Sequence, residues 1–398
     1  MSRAPIERCV GDAEHFAAEV WTRRWHRYPG ADSDAFADLL SLATVDDLLA
    51  SGGLRHPALR VVRDGKTLPR SRFTRSHSTG GRRVGDAVDA DAVLRAFGDG
   101  ATVVLQAMHR FHPPVQAFCD GLEAFFGHPL QANAYLTPAK SRGLAVHHDT
   151  HDVLVLQLHG TKEWLLYDPV VPDPVSGFPK SPRHPKPGPV RETVSLAPGD
   201  CLYLPRGVPH QALGLDGASL HLTLGVRSPT WLDVVGRVMD RAAEIPSLRR
   251  ALPLQYGTHP GALEAELPEI LEEVAQWLRG RDAAELTAAE VARARSLRRP
   301  SDRGRLLAIA DAASIADDTA LERADEVPWR IESRGDFAVL HAGRATLRFP
   351  LRIRPTLEQL ISAPTLRAAD LSAHLDEPGR LVLVRRLARE GLLRREVR

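Results

Sequence analysis

The sequence predicts an α+β chain centred on an antiparallel jelly roll, the double-stranded β-helix. Two observations lead there. From about residue 54 to 226 short β-type runs follow one another with little helix between them: LRVVR, TVVLQAM, ANAYLT, DVLVLQL, KEWLLY, CLYLP and SLHLTLGV. Turns such as Pro198-Gly199-Asp200 separate them, and many short strands with frequent turns build barrels or sandwiches.

Before the strands, EHFAAEVWTRRWHRY and DAFADLLSLATVDDLLA repeat apolar residues at three- and four-residue spacing, so residues 14–51 read as helices. Ser51-Gly52-Gly53 closes the second run. One further helix is expected near 113–127. Between Asp168 and Val190 the chain is too rich in proline for regular structure, which makes a long surface loop, a lid or substrate rim.

After residue 229, TWLDVVGRVMDRAAEI and ALEAELPEILEEVAQWLRG are amphipathic at helical period. An arginine-rich stretch, ARARSLRRPSDRGR, follows. The last segment reads as strands FAVLHAG and TLRFPL, helices TLEQLIS, LRAADLSAHL and RLVLVRRLARE, and a terminal strand GLLRREV. That is the outline of a winged helix. The expected domains are therefore 1–228 (barrel with N-terminal helices), 229–300 (helical) and 301–398 (winged helix).

A chain of 398 residues exceeds one ordinary core. Its 43% hydrophobic and 26% charged residues are those of a globular protein. The net charge of +2 gives no overall support for nucleic-acid or membrane binding. Cys9, Cys119 and Cys201 lack metal-type spacing and an even count, so they read as reduced thiols of a cytoplasmic protein. No signal-peptide core and no apolar stretch of about 18 residues is present.

The chemistry concentrates in RGLAVHHDTHDVLVLQLHGTKEWLLY. His147-x-Asp149 stands just before an apolar strand, and His210 closes the turn LPRGVPH, 63 residues after His147. Two imidazoles and one carboxylate on one face of a metal leave three positions open, the facial triad of non-haem iron(II) oxygenases. HxD followed by a strand and then PGDxLYxPxGxPH is far more specific than HxD alone, because proline and glycine fix the turn that presents the last histidine. The neighbouring His148, His151 and His159 leave alternatives. His151 is the substitute ligand, whereas His148 and His159 read as ordinary surface or core histidines.

Such a triad requires a cation for the distal carboxylate of a chelating oxidant. In TKEWLLY, strand alternation puts Lys162 on the same face as Trp164 and Leu166, and a lysine there needs an anionic partner. The other reading is a strand-edge lysine in solvent. Asn133, Tyr135 and Thr137 share one face of the run before the HxD, and His221 and Thr223 share a face of LHLTLGV. Both sets read as pocket lining, or as buried hydrogen-bonding groups with no ligand role.

These segments resemble the JmjC family, within the cupin superfamily, and specifically its ribosomal-oxygenase-like branch. NAYLTPAKSRGLAVHHD, LVLQLHGTKEWLLYDP, PGDCLYLPRGVPHQA and SLHLTLGV carry the likeness. The resemblance implies iron(II) at His147, Asp149 and His210. It implies 2-oxoglutarate at the lysine fifteen residues after the first histidine, which is Lys162, and O2 as the second co-substrate. Asn133 and Tyr135 match pocket residues of that family. EVWTRRWHRYPG resembles its opening helix, the amphipathic helices its dimerisation domain (here 229–280), and the last segment its winged helix. His148 and the proline-rich loop depart from the pattern where substrate would approach.

The expected function is hydroxylation of a protein or peptide side chain, of a ribosomal protein or a natural-product peptide. The rivals are a metal-dependent cupin enzyme acting on a small molecule and a non-catalytic binding protein of the same fold. Residues 355–398 hold eight arginines against six acidic residues, too weak a stripe for a dedicated nucleic-acid reader. The expectation for the winged helix is therefore a scaffold or substrate-orienting role. Arg293, Arg295, Arg298 and Arg299 could help dock an anionic partner such as ribosomal RNA.

Overall fold

A computed structural model describes residues 4–177, 186–297, 305–324, 329–342 and 345–396. The chain divides into two compact units, Met1–Ser228 and Pro229–Arg398.

In the first unit the strands are β1 (His26–Tyr28), β2 (Leu59–Arg63), β3 (Lys66–Thr67), β4 (Thr74–Thr79), β5 (Arg82–Val88), β6 (Thr102–Leu105), β7 (Leu130–Thr137), β8 (Asp152–His159), β9 (Lys162–Tyr167), β10 (Val190–Leu196), β11 (Cys201–Leu204), β12 (His210–Gly214) and β13 (Ser219–Val226). A large antiparallel sheet runs β1-β11-β8-β13-β7-β6-β2-β3, and a small one runs β10-β9-β12. Strand β8 shows why the sequence builds this arrangement. Val153 and Val155 join Trp164, Leu166, Val194, Leu202 and Leu204 in the core between the sheets. Leu154 and Leu156 point the other way, into the core shared with the N-terminal helices and helix Pro113–Phe126. A strand covered on both faces must be apolar at successive positions, as DVLVL is.

In two expected helices part of the run is a strand. EHFAAEVWTRRWHRY is helical only to Val20. Thr22 takes a positive φ of 60° and its N–H donates to the Tyr203 hydroxyl at 2.9 Å. The chain then reverses, and His26–Tyr28 pairs with β11. In the second unit LRAADLSAHL is not a helix either. Strand pairing overrides the local helical pattern in both places.

The second unit starts with helices Trp231–Met239, Gly261–Arg279, Ala283–Leu297 and Arg305–Asp311. Then come β14 (Ala320–Arg323), β15 (Trp329–Arg334), β16 (Phe337–Ala342) and β17 (Ala345–Pro350), helix Arg354–Ser362, β18 (Thr365–Arg367), helix Glu377–Arg389 and β19 (Leu393–Arg395). Strand β18 takes up the start of the expected helix, pairs with β14 and runs into a short 3-10 turn, Ala368–Leu371. The strands form sheets β18-β14-β19 and β15-β16-β17, around a core that includes Leu321, Leu340, Leu360, Leu383 and Leu387.

Residues 178–185 of the proline-rich loop, and Arg298 and Arg299, lie outside the described residues. The described start of that loop is mostly exposed, with one anchor. Pro174 is buried and lies with the Val171 carbonyl against Gly207. Among the described residues no helix is long and apolar enough to cross a membrane. Cys9, Cys119 and Cys201 are buried free thiols.

Candidate active site

His147 and His210 face each other across an isolated antiparallel bridge. The His210 N–H donates to the His147 carbonyl at 2.8 Å, and the His147 N–H to the His210 carbonyl at 3.2 Å. Asp149 is tied to the same turn, since its carbonyl accepts the Gly207 N–H at 2.9 Å. Gly207 holds φ +86° and abuts Pro174, so a side chain would neither adopt the conformation nor fit. The ligand-capable atoms of His147, Asp149 and His210 lie within 4.8 Å of one another.

The tautomers follow from the neighbours. His147 Nδ1 is 2.9 Å from the Ala145 carbonyl and His210 Nδ1 is 3.0 Å from the Val208 carbonyl. A carbonyl only accepts, so both Nδ1 atoms carry the proton and both Nε2 atoms present lone pairs. Among the described residues this is the cluster able to hold a metal. His151 lines the cavity, but its ring occupies the space above Gly225 and does not join the cluster. His148 is buried and His159 exposed, both outside the cluster.

A buried ion pair braces the two ligand-bearing segments. Asp152, three residues after Asp149, accepts from Arg206 at 3.0 Å and from the Tyr203 hydroxyl at 2.9 Å. Arg206 stands four residues before His210 and also donates to the Ser228 carbonyl. Both partners are enclosed, with side chains 10% and 0% exposed.

The cavity beside the triad measures about 230 Å3, below the roughly 300–1,000 Å3 of drug-sized pockets, a scale suited to a compact ligand. All nine residues singled out from the sequence line it: Asn133, Tyr135, Thr137, His147, Asp149, Lys162, His210, His221 and Thr223. Register explains part of the convergence. Tyr135 stands directly opposite His221, and Asn133 opposite Thr223. The Tyr135 and His221 rings stack at 4.9 Å with parallel planes.

Lys162 is 1% exposed. Gly160 sets the turn before it, with φ +63° and no room for a Cβ beside the Ala218 carbonyl. The Lys162 ammonium donates to Thr137 Oγ1 at 2.7 Å and lies 3.5 Å from His221 Nδ1. No carboxylate pairs with it among the described residues. Burial pulls the ammonium down to about 7. His221 is held well below its ordinary value, first by burial and then by the neighbouring lysine charge. Thr137 Oγ1 also accepts from Thr102 at 3.2 Å; with both lone pairs engaged, its own proton is free to be donated into the cavity. Asn133 Oδ1 accepts from the Ala107 N–H at 3.0 Å and from Gln131 at 3.2 Å. Burial raises the Tyr135 phenol, opposed by the nearby Arg60 guanidinium.

Arg60, Thr102, Gln106 and Gln131 line the cavity as well and were not anticipated. Alternation along LRVVR could have found Arg60, because Leu59 and Val61 face the helical core and the residue between them must face the other way.

The JmjC-domain family model matches residues 104–234. Ribosomal oxygenase 2 of Bos taurus is 30% identical over 316 residues, covering 70% of this chain and 68% of that protein. The chain belongs to the ribosomal-oxygenase family of JmjC-domain proteins. Other relatives in this family are longer. A bifunctional lysine-specific demethylase and histidyl-hydroxylase, NO66 of Dictyostelium discoideum, is 37% identical over 183 residues, 44% of this chain and 36% of that protein. Ribosomal oxygenase 1 of Homo sapiens is 32% identical over 263 residues, 64% of this chain and 40% of that protein. The chain thus spans less than half the length of these two. The fold of YcfD, a ribosomal oxygenase from Escherichia coli, is shared across 97% of this chain and 98% of that one, with a TM-score of 0.51 at 17% identity.

Proposed function

We propose that this protein is an iron(II)- and 2-oxoglutarate-dependent oxygenase that hydroxylates a protein or peptide side chain, with ribosomal proteins as the first substrate class to test. Lys162 carries this reading. A buried ammonium without a carboxylate partner among the described residues, in the same cavity as a two-histidine, one-carboxylate cluster, fits an acidic co-substrate that also chelates the metal. A small-molecule cupin enzyme would have no use for that pairing. The names of the relatives, ribosomal oxygenase and histidyl-hydroxylase, support a protein side chain as the target.

In this reading His147, Asp149 and His210 hold iron(II), and Lys162 with Thr137 holds the distal carboxylate of 2-oxoglutarate. Asn133, Tyr135, His221 and Thr223 line the co-substrate's path. Bound iron(II), with 2-oxoglutarate and O2, supplies the oxidising power: one oxygen atom enters a substrate C–H bond, and the co-substrate leaves as succinate and CO2. The chain's own groups orient and shield. The Nδ1–H donations to Ala145 and Val208 keep both Nε2 atoms aimed at the metal position. The apolar wall of Val153, Val155 and Trp164 keeps water from the closed side. An anionic partner would favour the charged form of Lys162 that burial disfavours.

The wider organisation proposed is a catalytic domain at 1–228, a helical dimerisation domain at 229–300 and a winged-helix domain at 301–398. Dimerisation through 229–280 is supported by helix Gly261–Arg279, which buries no side chain and exposes Leu267 and Leu271, and by Trp231 at 84% exposure. Apolar surface of that extent is normally covered. Helices Arg354–Ser362 and Glu377–Arg389 with sheet β18-β14-β19 support the winged-helix reading. The buried free thiols suit the reducing cytoplasm. The test is mass spectrometry of ribosomal proteins and their peptides after incubation with iron(II), 2-oxoglutarate and O2. The expected result is one added oxygen on one residue, lost in Asp149→Ala. Succinate formation with no oxygen gained by any ribosomal protein would sink the ribosomal assignment.

A further inference from the structure

The whole-chain charge of +2 conceals a local concentration. Between Gly65 and Gly85 the sequence carries Lys66, Arg70, Arg72, Arg75, Arg82 and Arg83, and no Asp or Glu. The core of this segment is the two-stranded ribbon β4–β5, which pairs with no other strand among the described residues. All six cations are exposed. Among the described residues none forms an ion pair, whereas nearby arginines do: Arg55 with Asp86 and Arg63 with Asp99. Among the described residues Arg83 donates to the Ser76 hydroxyl, at 3.3 Å.

The ribbon is firmly mounted. Phe73, at its start, is 1% exposed; its carbonyl accepts the Asp89 N–H, and Arg55 pairs with Asp86 beside the far strand. The preceding Gly65 bridges Leu144 and lies against Ala145. Leu144 lines the cavity, and Ala145 supplies the carbonyl that orients His147. Gly65, next to Lys66, therefore packs beside the segment that leads into the site.

We propose that this ribbon, Thr74–Val88 with its flanking Lys66, Arg70 and Arg72, is a docking element for double-stranded RNA. Five of the six cations are arginines, whose planar forks match phosphate oxygens two at a time. In the register, Arg82 stands opposite Thr79 and Arg83 opposite Ser78, so consecutive arginines leave opposite faces of the ribbon and can reach phosphates on both walls of a groove. Thr74, Ser76, Ser78 and His77 are interleaved with them, and such groups bond phosphate and 2′-hydroxyl oxygens. From Thr74 to Arg83 the sequence has no aliphatic side chain and no Phe, Tyr or Trp. That disfavours a membrane, which needs an apolar face, and single strands, which need stacking platforms. Through the Lys66 flank, RNA held by the ribbon would lie close to the segment that leads into the cavity. That consequence rests on the reading of the cavity as a protein hydroxylase site; the binding itself does not.

The test is fluorescence anisotropy of the full chain with a short labelled RNA duplex, without metal or 2-oxoglutarate, between about 50 and 200 mM salt. With six cations, the slope of log affinity against log salt should be about −5, a weakening of roughly a thousand-fold across that range. In Arg75→Ala/Arg82→Ala/Arg83→Ala the slope should fall to about −3, with unchanged 2-oxoglutarate turnover reporting an intact fold. An unchanged slope in that variant, or no binding by the wild type, overturns the proposal. Equal affinity for a DNA duplex of the same sequence overturns the RNA assignment, and equal affinity for polyglutamate replaces RNA by an acidic protein. Because turnover and binding are measured separately, loss of one reading leaves the other open to its own result.

Discussion

Replacing Lys162 by methionine should have opposite effects on the free and the liganded protein. The ammonium is buried, and its polar partners among the described residues are the Thr137 hydroxyl and His221. The gap between 10.5 and about 7 corresponds to a penalty on the charged form on the order of 5 kcal/mol. Between those two values the unfolded chain binds more protons than the folded one. The stability of the co-substrate-free protein should therefore rise as pH is raised from about 7 towards 10.5, and level off above. Lys162→Met removes that dependence and, at pH 6, should raise the unfolding temperature by several degrees. With 2-oxoglutarate the sign reverses. A carboxylate left in the cavity without its cation costs about 3 kcal/mol, roughly a hundred-fold in Kd. Anaerobic calorimetry of 2-oxoglutarate binding to the iron(II)-loaded protein reads this directly. Wild-type affinity should fall by up to about tenfold per unit above pH 7, as the lysine must be protonated to bind, and the variant should show weak, pH-independent binding. A variant that binds within a few-fold of wild type with the same pH profile would refute the reasoning.

Other perturbations probe separate parts of the structure. Breaking the enclosed Arg206–Asp152 pair with Arg206→Met should cost about 3–5 kcal/mol, read as a lower melting temperature together with weaker metal binding. Gly225→Ala puts a methyl group into the His151 ring and should cost about 1–3 kcal/mol; His151→Ala should relieve most of that loss in a double-mutant cycle. Light scattering should give twice the 43.6 kDa chain mass, and Leu267→Lys/Leu271→Lys should shift it to a monomer; a monomeric wild type refutes dimerisation through 229–280.

What could be read from the sequence depended on how local its cause was. HxD, the PGDxLYxPxGxPH turn and the face of Lys162 follow from short-range geometry, and His147, Asp149, Lys162 and His210 meet in one cavity. Strands β10 and β12 went unread because VRETVSL and HQALG carry little alternation; they become strands by pairing with β9. Residues His26–Tyr28 and Thr365–Arg367 sit in helical-looking runs and are extended because β11 and β14 offer them edges. Arg60 was hidden by the apolar run around it, and the basic ribbon by the balanced charge of the whole chain.

The central proposal is that one cavity holds iron(II) through His147, Asp149 and His210 and 2-oxoglutarate through Lys162, and turns the co-substrate over there. Succinate released from 2-oxoglutarate by the iron(II)-loaded protein tests it most directly. The account predicts iron-dependent succinate formation that is abolished in Asp149→Ala and restored in Lys162→Met only at high 2-oxoglutarate. No succinate from protein that binds both iron(II) and 2-oxoglutarate, or undiminished succinate from Asp149→Ala, would contradict it.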